Sequence, residues 1–217
     1  MLETSRTIEP RGSFDLLGQS RRTRSASAFD RELIRKAIHL LVALIPSLAL
    51  LNFKFTMVLL AAGTLSYAVA EAFRLFGRQV VLISDLTVAS ARDSEHGFVL
   101  GPVTLGIGSM LALLLYPLPF SAIAIYALAF GDTAASVFGM ACGGPKVPLN
   151  RTKTISGSLA CFAAVLIVTV ALTGNPLLSI AVSGIAMTIE ALSPRDFDNL
   201  LLPVGIGMLM HAMPTVM

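Results

Sequence analysis

A chain of 217 residues that is 55% hydrophobic and only 13% charged is not composed like a soluble domain, since those run at about 25% charged. Its two cysteines, Cys142 and Cys161, are too few for a disulfide framework and too loosely spaced for a zinc site. Aromatic residues at 7%, with no Trp, offer no stacking platform for bases, so no nucleic-acid partner is expected despite the net charge of +3.

Residues 1–30 are polar and carry Arg6, Arg11, Arg21, Arg22 and Arg24. They read as a disordered basic tail lying near anionic headgroups. Residues 31–217 read as one integral membrane domain with no separate soluble catalytic unit. Seven apolar runs follow, at about 37–51, 56–73, 98–115, 120–141, 156–173, 177–192 and 199–215. They predict an all-α fold: a polytopic bundle of about seven transmembrane helices. Several runs fall short of the roughly 20 residues of a straight span, so their ends lie near headgroup level. The segment 78–90 is shorter still and holds Asp85, which suggests an interfacial helix or re-entrant piece.

Charge sets the expected orientation. With a cytoplasmic N-terminus, loops 74–97, 142–155 and 193–198 hold Arg74, Arg78, Arg92, Lys146, Arg151, Lys153 and Arg195. The opposite loops 52–55, 116–119 and 174–176 hold a single basic residue, Lys54. This follows the positive-inside rule. Acidic residues lean to the same side, so the chemistry is expected to face the cytoplasm.

Arg35, Lys36 and His39 stand at the mouth of the first run, with Arg35 and His39 on one helix face. They can be a snorkelling anchor, or a polar group that needs a buried partner. Glu71 and Arg74 close the second run, either as a local ion pair or with Glu71 turned toward the same cavity as Asp132. Asp132 lies about a dozen residues into its run, where a lone ionised carboxylate costs several kcal/mol. It must be protonated, paired, or bound to a cation.

The stretch from Gly131 to Ser158 gathers the rest. After Asp132 come Gly139, Gly143 and Gly144, then Lys146, Arg151 and Lys153, then Thr154, Ser156, Gly157 and Ser158. A carboxylate beside a glycine-rich, basic loop suits a metal-complexed polyphosphate. Thr154 or Ser156 can cap a helix whose N-terminus favours phosphate. Glu95, Glu190, Asp196, Asp198 and Asn199 add acidic and polar groups on the same side, as metal or hydroxyl contacts or as helix caps.

This ordered set resembles the CTP-dependent polyprenol kinase family: dolichol kinase, phytol kinase and CTP-dependent diacylglycerol kinase. The pieces are RKxxH at 35–39, ExxR at 71–74, GDTAASVFG at 131–139, Lys146 with Asn150-x-x-Lys153-Thr154-x-x-Gly157-Ser158, and Asp198-Asn199-x-x-x-Pro203. The resemblance covers residues 31–210. Position 156 is Ser where the family carries Glu, and Thr152 splits its paired basic residues. Phosphatidate cytidylyltransferases are similar over the central block, but here Val137 follows Ser136 and no Ser-Pro precedes Lys153.

The resemblance implies transfer of the γ-phosphate of CTP to the hydroxyl of an isoprenoid alcohol or diacylglycerol at the membrane. Mg²⁺ would be held by Asp132, with Glu71 or Asp198. The phosphates would meet Lys146, Arg151 and Lys153, with Gly139, Gly144, Thr154, Gly157 and Ser158 around them. His39 or Asp198 would accept the hydroxyl proton. The alternatives are cytidylyl transfer to phosphatidate and a cation- or proton-coupled transporter using Asp132 and Glu71.

Overall fold

The computed structural model describes residues 28–76, 97–194 and 196–213. The tail up to residue 27, the 78–90 segment, Glu95 and Arg195 lie outside them. Among the described residues seven helices occupy the seven apolar runs. They are α1 (Ala28–Leu51), α2 (Phe53–Leu75), α3 (Gly101–Leu115), α4 (Phe120–Ala141), α5 (Ile155–Thr173), α6 (Pro176–Leu192) and α7 (Asp198–Ala212). Four of them, α1, α2, α4 and α5, are long and apolar enough to cross a membrane. The chain is an integral multi-pass membrane protein.

Local chemistry sets several of the helix ends. Asn52 separates α1 from α2, and its Oδ1 accepts from the Phe55 amide at 3.0 Å. Asn175 does the same for α6, accepting from Leu178 N at 3.1 Å just ahead of Pro176. α5 opens on Thr154, whose hydroxyl accepts from Gly157 N at 3.2 Å, and closes on left-handed Gly174.

α1 begins well before residue 37, where its apolar run starts. Its first turns carry Glu32, Lys36 and His39, all buried. They share one face at i, i+4 and i+7, so the polar side of α1 turns inward and its apolar side outward.

α4 packs on α5, α5 on α6, and α7 on α3, α4 and α6, while α2 leans on α3 at the periphery. The core between them is built from Ile123, Ile125, Leu128, Val165, Val182, Leu202, Ile206 and Met210. α4 and α5 cross closely. A Cβ on Gly157 would stand 2.5 Å from the Ala135 carbonyl oxygen, and one on Gly139 would stand 2.7 Å from Thr154 Oγ1.

Two features depart from the sequence reading. The 142–155 loop contains a two-stranded antiparallel hairpin, β1 (Lys146–Val147) with β2 (Asn150–Thr154), so Lys146 pairs with Thr154 across it. And α4 widens into a π-helical segment over Ala127–Asp132. Such segments shift the register of every later side chain, here at the end that carries Asp132.

Candidate functional site

A cavity of about 410 Å³ lies at the end of the bundle where α1 and α7 begin and α4 and α6 end. The hairpin overhangs it. This is the end that carries loops 142–155 and 193–198. A volume of this size is in the usual range for small-ligand sites.

Asp132 forms the inner wall and is 2% exposed. Lys36 Nζ donates to its Oδ2, and His39 Nδ1 lies 3.1 Å from the same oxygen. Both partners come from α1 and are themselves buried. The carboxylate that could not stand alone in an apolar span is therefore paired. One helix turn supplies both partners, because Lys36 and His39 are three residues apart.

Arg35 lies beside that face of α1 and ion-pairs with Asp196 at 3.0 Å and Glu32 at 3.4 Å. Asp196 sits at φ +64, a left-handed position that Asp tolerates in the turn ahead of α7.

Lys153, on β2, bridges two helices. Its ammonium is 2.8 Å from Glu190 of α6 and 2.7 Å from Asp198 of α7. Ser158 Oγ donates to the other Glu190 oxygen at 3.1 Å. Burial opposes the charge on Lys153, but Asp198, Glu190 and Asp132 outweigh it and hold the ammonium above the usual lysine range. Lys146 also lines the cavity and carries no ion pair among the described residues, so it is a cation open to an incoming anion.

The sequence candidates separate into three groups. Asp132, Arg35, Gly139, Lys146, Lys153, Thr154, Gly157, Glu190 and Asp198 come together at the cavity. His39 supports it from behind Asp132, and Ser158 supports it through Glu190. The third group lies apart. Glu71 does not face this cavity: Arg74 holds both its oxygens at 2.7 and 2.8 Å, and Val99 N donates at 2.9 Å. These contacts make Glu71 and Arg74 a tie between α2 and the start of α3, which corrects the reading of Glu71 as a metal ligand. Arg151 is exposed and outside the lining. Asn199 binds Gly101 O and Thr104 Oγ1, both at 3.2 Å, joining α7 to α3.

Two glycine readings also change. Gly139 and Gly157 line the cavity, yet their missing side chains are used by the α4–α5 crossing. Gly143 and Gly144, at φ +61 and +108, shape the turn into the hairpin without lining the cavity. Ser156 donates to the Gly143 carbonyl and fastens that turn to α5.

Arg31, Glu32, Thr152 and Ser136 line the site and were not among the sequence candidates, and Lys36 was named with Arg35 and His39 but given no site role. Lys36 had a readable signal: it shares a buried face with His39, and an intramembrane Asp calls for a cation.

Among the described residues no group of three or more His, Cys, Asp and Glu side chains could hold a metal ion. A divalent ion therefore has no ready protein cage here. Asp132, Glu190 and Asp198 do offer hard oxygen donors in one cavity, which suits Mg²⁺ arriving with phosphate oxygens and water.

Compared with known proteins, the chain matches no family model, no curated protein and no solved structure.

Proposed function

We propose that this protein is a membrane lipid kinase that moves the γ-phosphate of CTP to the hydroxyl of an isoprenoid alcohol or diacylglycerol. The observation that carries the reading is the cavity itself. At one end of a membrane bundle it gathers Arg35, Lys146 and Lys153 with Asp132, Glu190 and Asp198. Phosphoryl transfer asks mainly for positioning and electrostatic stabilisation, and this is a set of groups that supplies both.

In this reading Lys146, Lys153 and Arg35 orient the triphosphate. The lipid hydroxyl attacks the γ-phosphorus, a new O–P bond forms, the β–γ bridging bond breaks, and CDP leaves. Of the two proton acceptors the sequence offers, Asp198 lines the cavity and His39 does not, so Asp198 takes the hydroxyl proton. Mg²⁺ held by Asp132 and Glu190 would neutralise charge on the phosphate oxygens. The cavity end is taken as cytoplasmic from the basic loops, which gives CTP direct access.

The test is phosphate tracking with purified protein, Mg²⁺ and a lipid panel, using CTP labelled at the γ or the α position. Label reaching lipid from the γ position is the expected result. Label moving from the α position alone would make the protein a cytidylyltransferase. No transfer from either position would overturn the proposal, and substrate flux into vesicles without nucleotide would then favour a transporter.

A further inference from the structure

We infer that the lipid acceptor reaches the cavity sideways, through a slot between α1 and α4, and that Ser136 is the wall residue that controls its entry. The inference rests on the lipid-kinase reading. α1 and α4 are tied at one level, where Lys36 and His39 meet Asp132. Toward the cavity end, the walls are Ala28 and Glu32 on α1 and Ser136, Gly139 and Met140 on α4. Asp132, Ser136 and Met140 are spaced by four, so they form one line running outward from the buried carboxylate.

Met140 lines the cavity and is also 44% exposed, so the cavity reaches the outer surface of the bundle there. Both helices can cross a membrane. Away from the cavity the same helices expose Ile34 and Phe138, apolar side chains that lipid would cover. Lipid thus surrounds both helices, and Met140 is where the cavity meets that outer surface. Ser136 stands midway along the line, half-buried, and its hydroxyl has no hydrogen-bond partner among the described residues. It is free to meet a substrate hydroxyl on its way to Asp132 and Asp198.

A second opening near His39 competes for this role. It is a recess lined by Val99, Pro102 and Leu105 that holds about 20 Å³. That is close to the space one water needs, too little for a hydrocarbon chain. The α1–α4 slot is left as the path. Its occupant is a primary hydroxyl at the end of a membrane lipid, and single-chain alcohols and diacylglycerol both carry one.

The experiment uses the full chain in lipid nanodiscs. Ser136→Phe is compared with the unaltered protein for CTP affinity and for transfer to phytol-type alcohol and to diacylglycerol. The expected result is kcat/KM for the lipid down by about tenfold or more, with a smaller loss of CTP affinity because Ser136 lines the cavity that takes both. A single-chain acceptor lost alone, or diacylglycerol lost alone, names the source of the hydroxyl. Equal lipid turnover in Ser136→Phe and the unaltered protein would overturn the slot and leave the kinase reading standing. Absence of lipid phosphorylation in the unaltered protein would overturn both. Should Ser136→Phe fail to fold, a photoreactive long-chain alcohol on the unaltered protein decides. Crosslinks within 28–35 and 136–140 support the slot, and crosslinks at Val99 to Leu105 or on α2 overturn it.

Discussion

Lys36 on α1 is the ion-pair partner of Asp132 on α4, across 96 residues of chain. Neither side chain is more than 2% exposed. Removing one member of such a pair leaves the other charged and uncompensated, at a cost of about 3–5 kcal/mol. Lys36→Met is therefore expected to destabilise the protein more than Lys36→Met combined with Asp132→Asn. A double-mutant cycle on unfolding in detergent checks this, and additive losses would contradict it. Asp132→Asn alone should abolish transfer while the protein still inserts.

Lys153 holds two carboxylates from two helices, and Lys153→Met should loosen the hairpin from α6 and α7. A charge-assisted hydrogen bond contributes about 1.5–3 kcal/mol, so triphosphate binding should weaken by about tenfold or more. Equilibrium binding of CTP measures it, and unchanged affinity would remove Lys153 from the phosphate site.

The pH dependence of that contribution has a definite sign. The folded protein holds the Lys153 ammonium above the usual lysine range, so folding favours its protonated form. The stabilisation is complete below the unfolded lysine value and is lost only as pH rises through the folded one. The stability difference between the unaltered protein and Lys153→Met should stay flat from roughly pH 6 to 9 and shrink only in strong alkali. Thermal unfolding of both proteins across that range is the measurement.

Glu71 separates a structural role from a catalytic one. Glu71→Gln weakens the hold on Arg74 and Val99 N, and the expected loss is about 1–3 kcal/mol of stability. CTP affinity and its Mg²⁺ dependence should not change, because Glu71 is tied to α3 outside the cavity. A loss of Mg²⁺-dependent binding in the folded variant would return Glu71 to the site.

Glycine substitutions should split in the same way. Gly157→Ala drives a methyl toward the Ala135 carbonyl and must push α4 from α5, with an expected cost of about 1–3 kcal/mol and impaired binding. Gly143→Ala meets no atom within 4 Å and pays only for its left-handed backbone, about 1–2 kcal/mol. Melting temperatures and CTP affinity of the two variants test the contrast.

The helices were largely legible in the sequence, and the reason is local. Apolar runs mark where backbone groups must bond within a helix in lipid, and Asn52, Thr154 and Asn175 each cap the helix that follows through one nearby amide. Hydropathy misplaced the start of α1 because Glu32 and Lys36 look like solvent-facing charge until their partners are known. The 146–154 hairpin was missed because its strands are two and five residues long, too short to show an alternating pattern. The π segment that ends on Asp132 carries no residue signal of its own.

The sequence by itself determined a membrane bundle of seven helices, the end of it that holds the polar chemistry, and Asp132 as a buried carboxylate there. The tertiary structure alone decided who pairs with whom: Lys36 with Asp132, Arg35 with Asp196, Lys153 with Glu190 and Asp198, and Glu71 away from them all. Hydropathy and capping act over one to four residues and survive in the order of the chain. An ion pair depends on distance in space, and the packing of α1 against α4 and of the hairpin against α6 and α7 sets that distance.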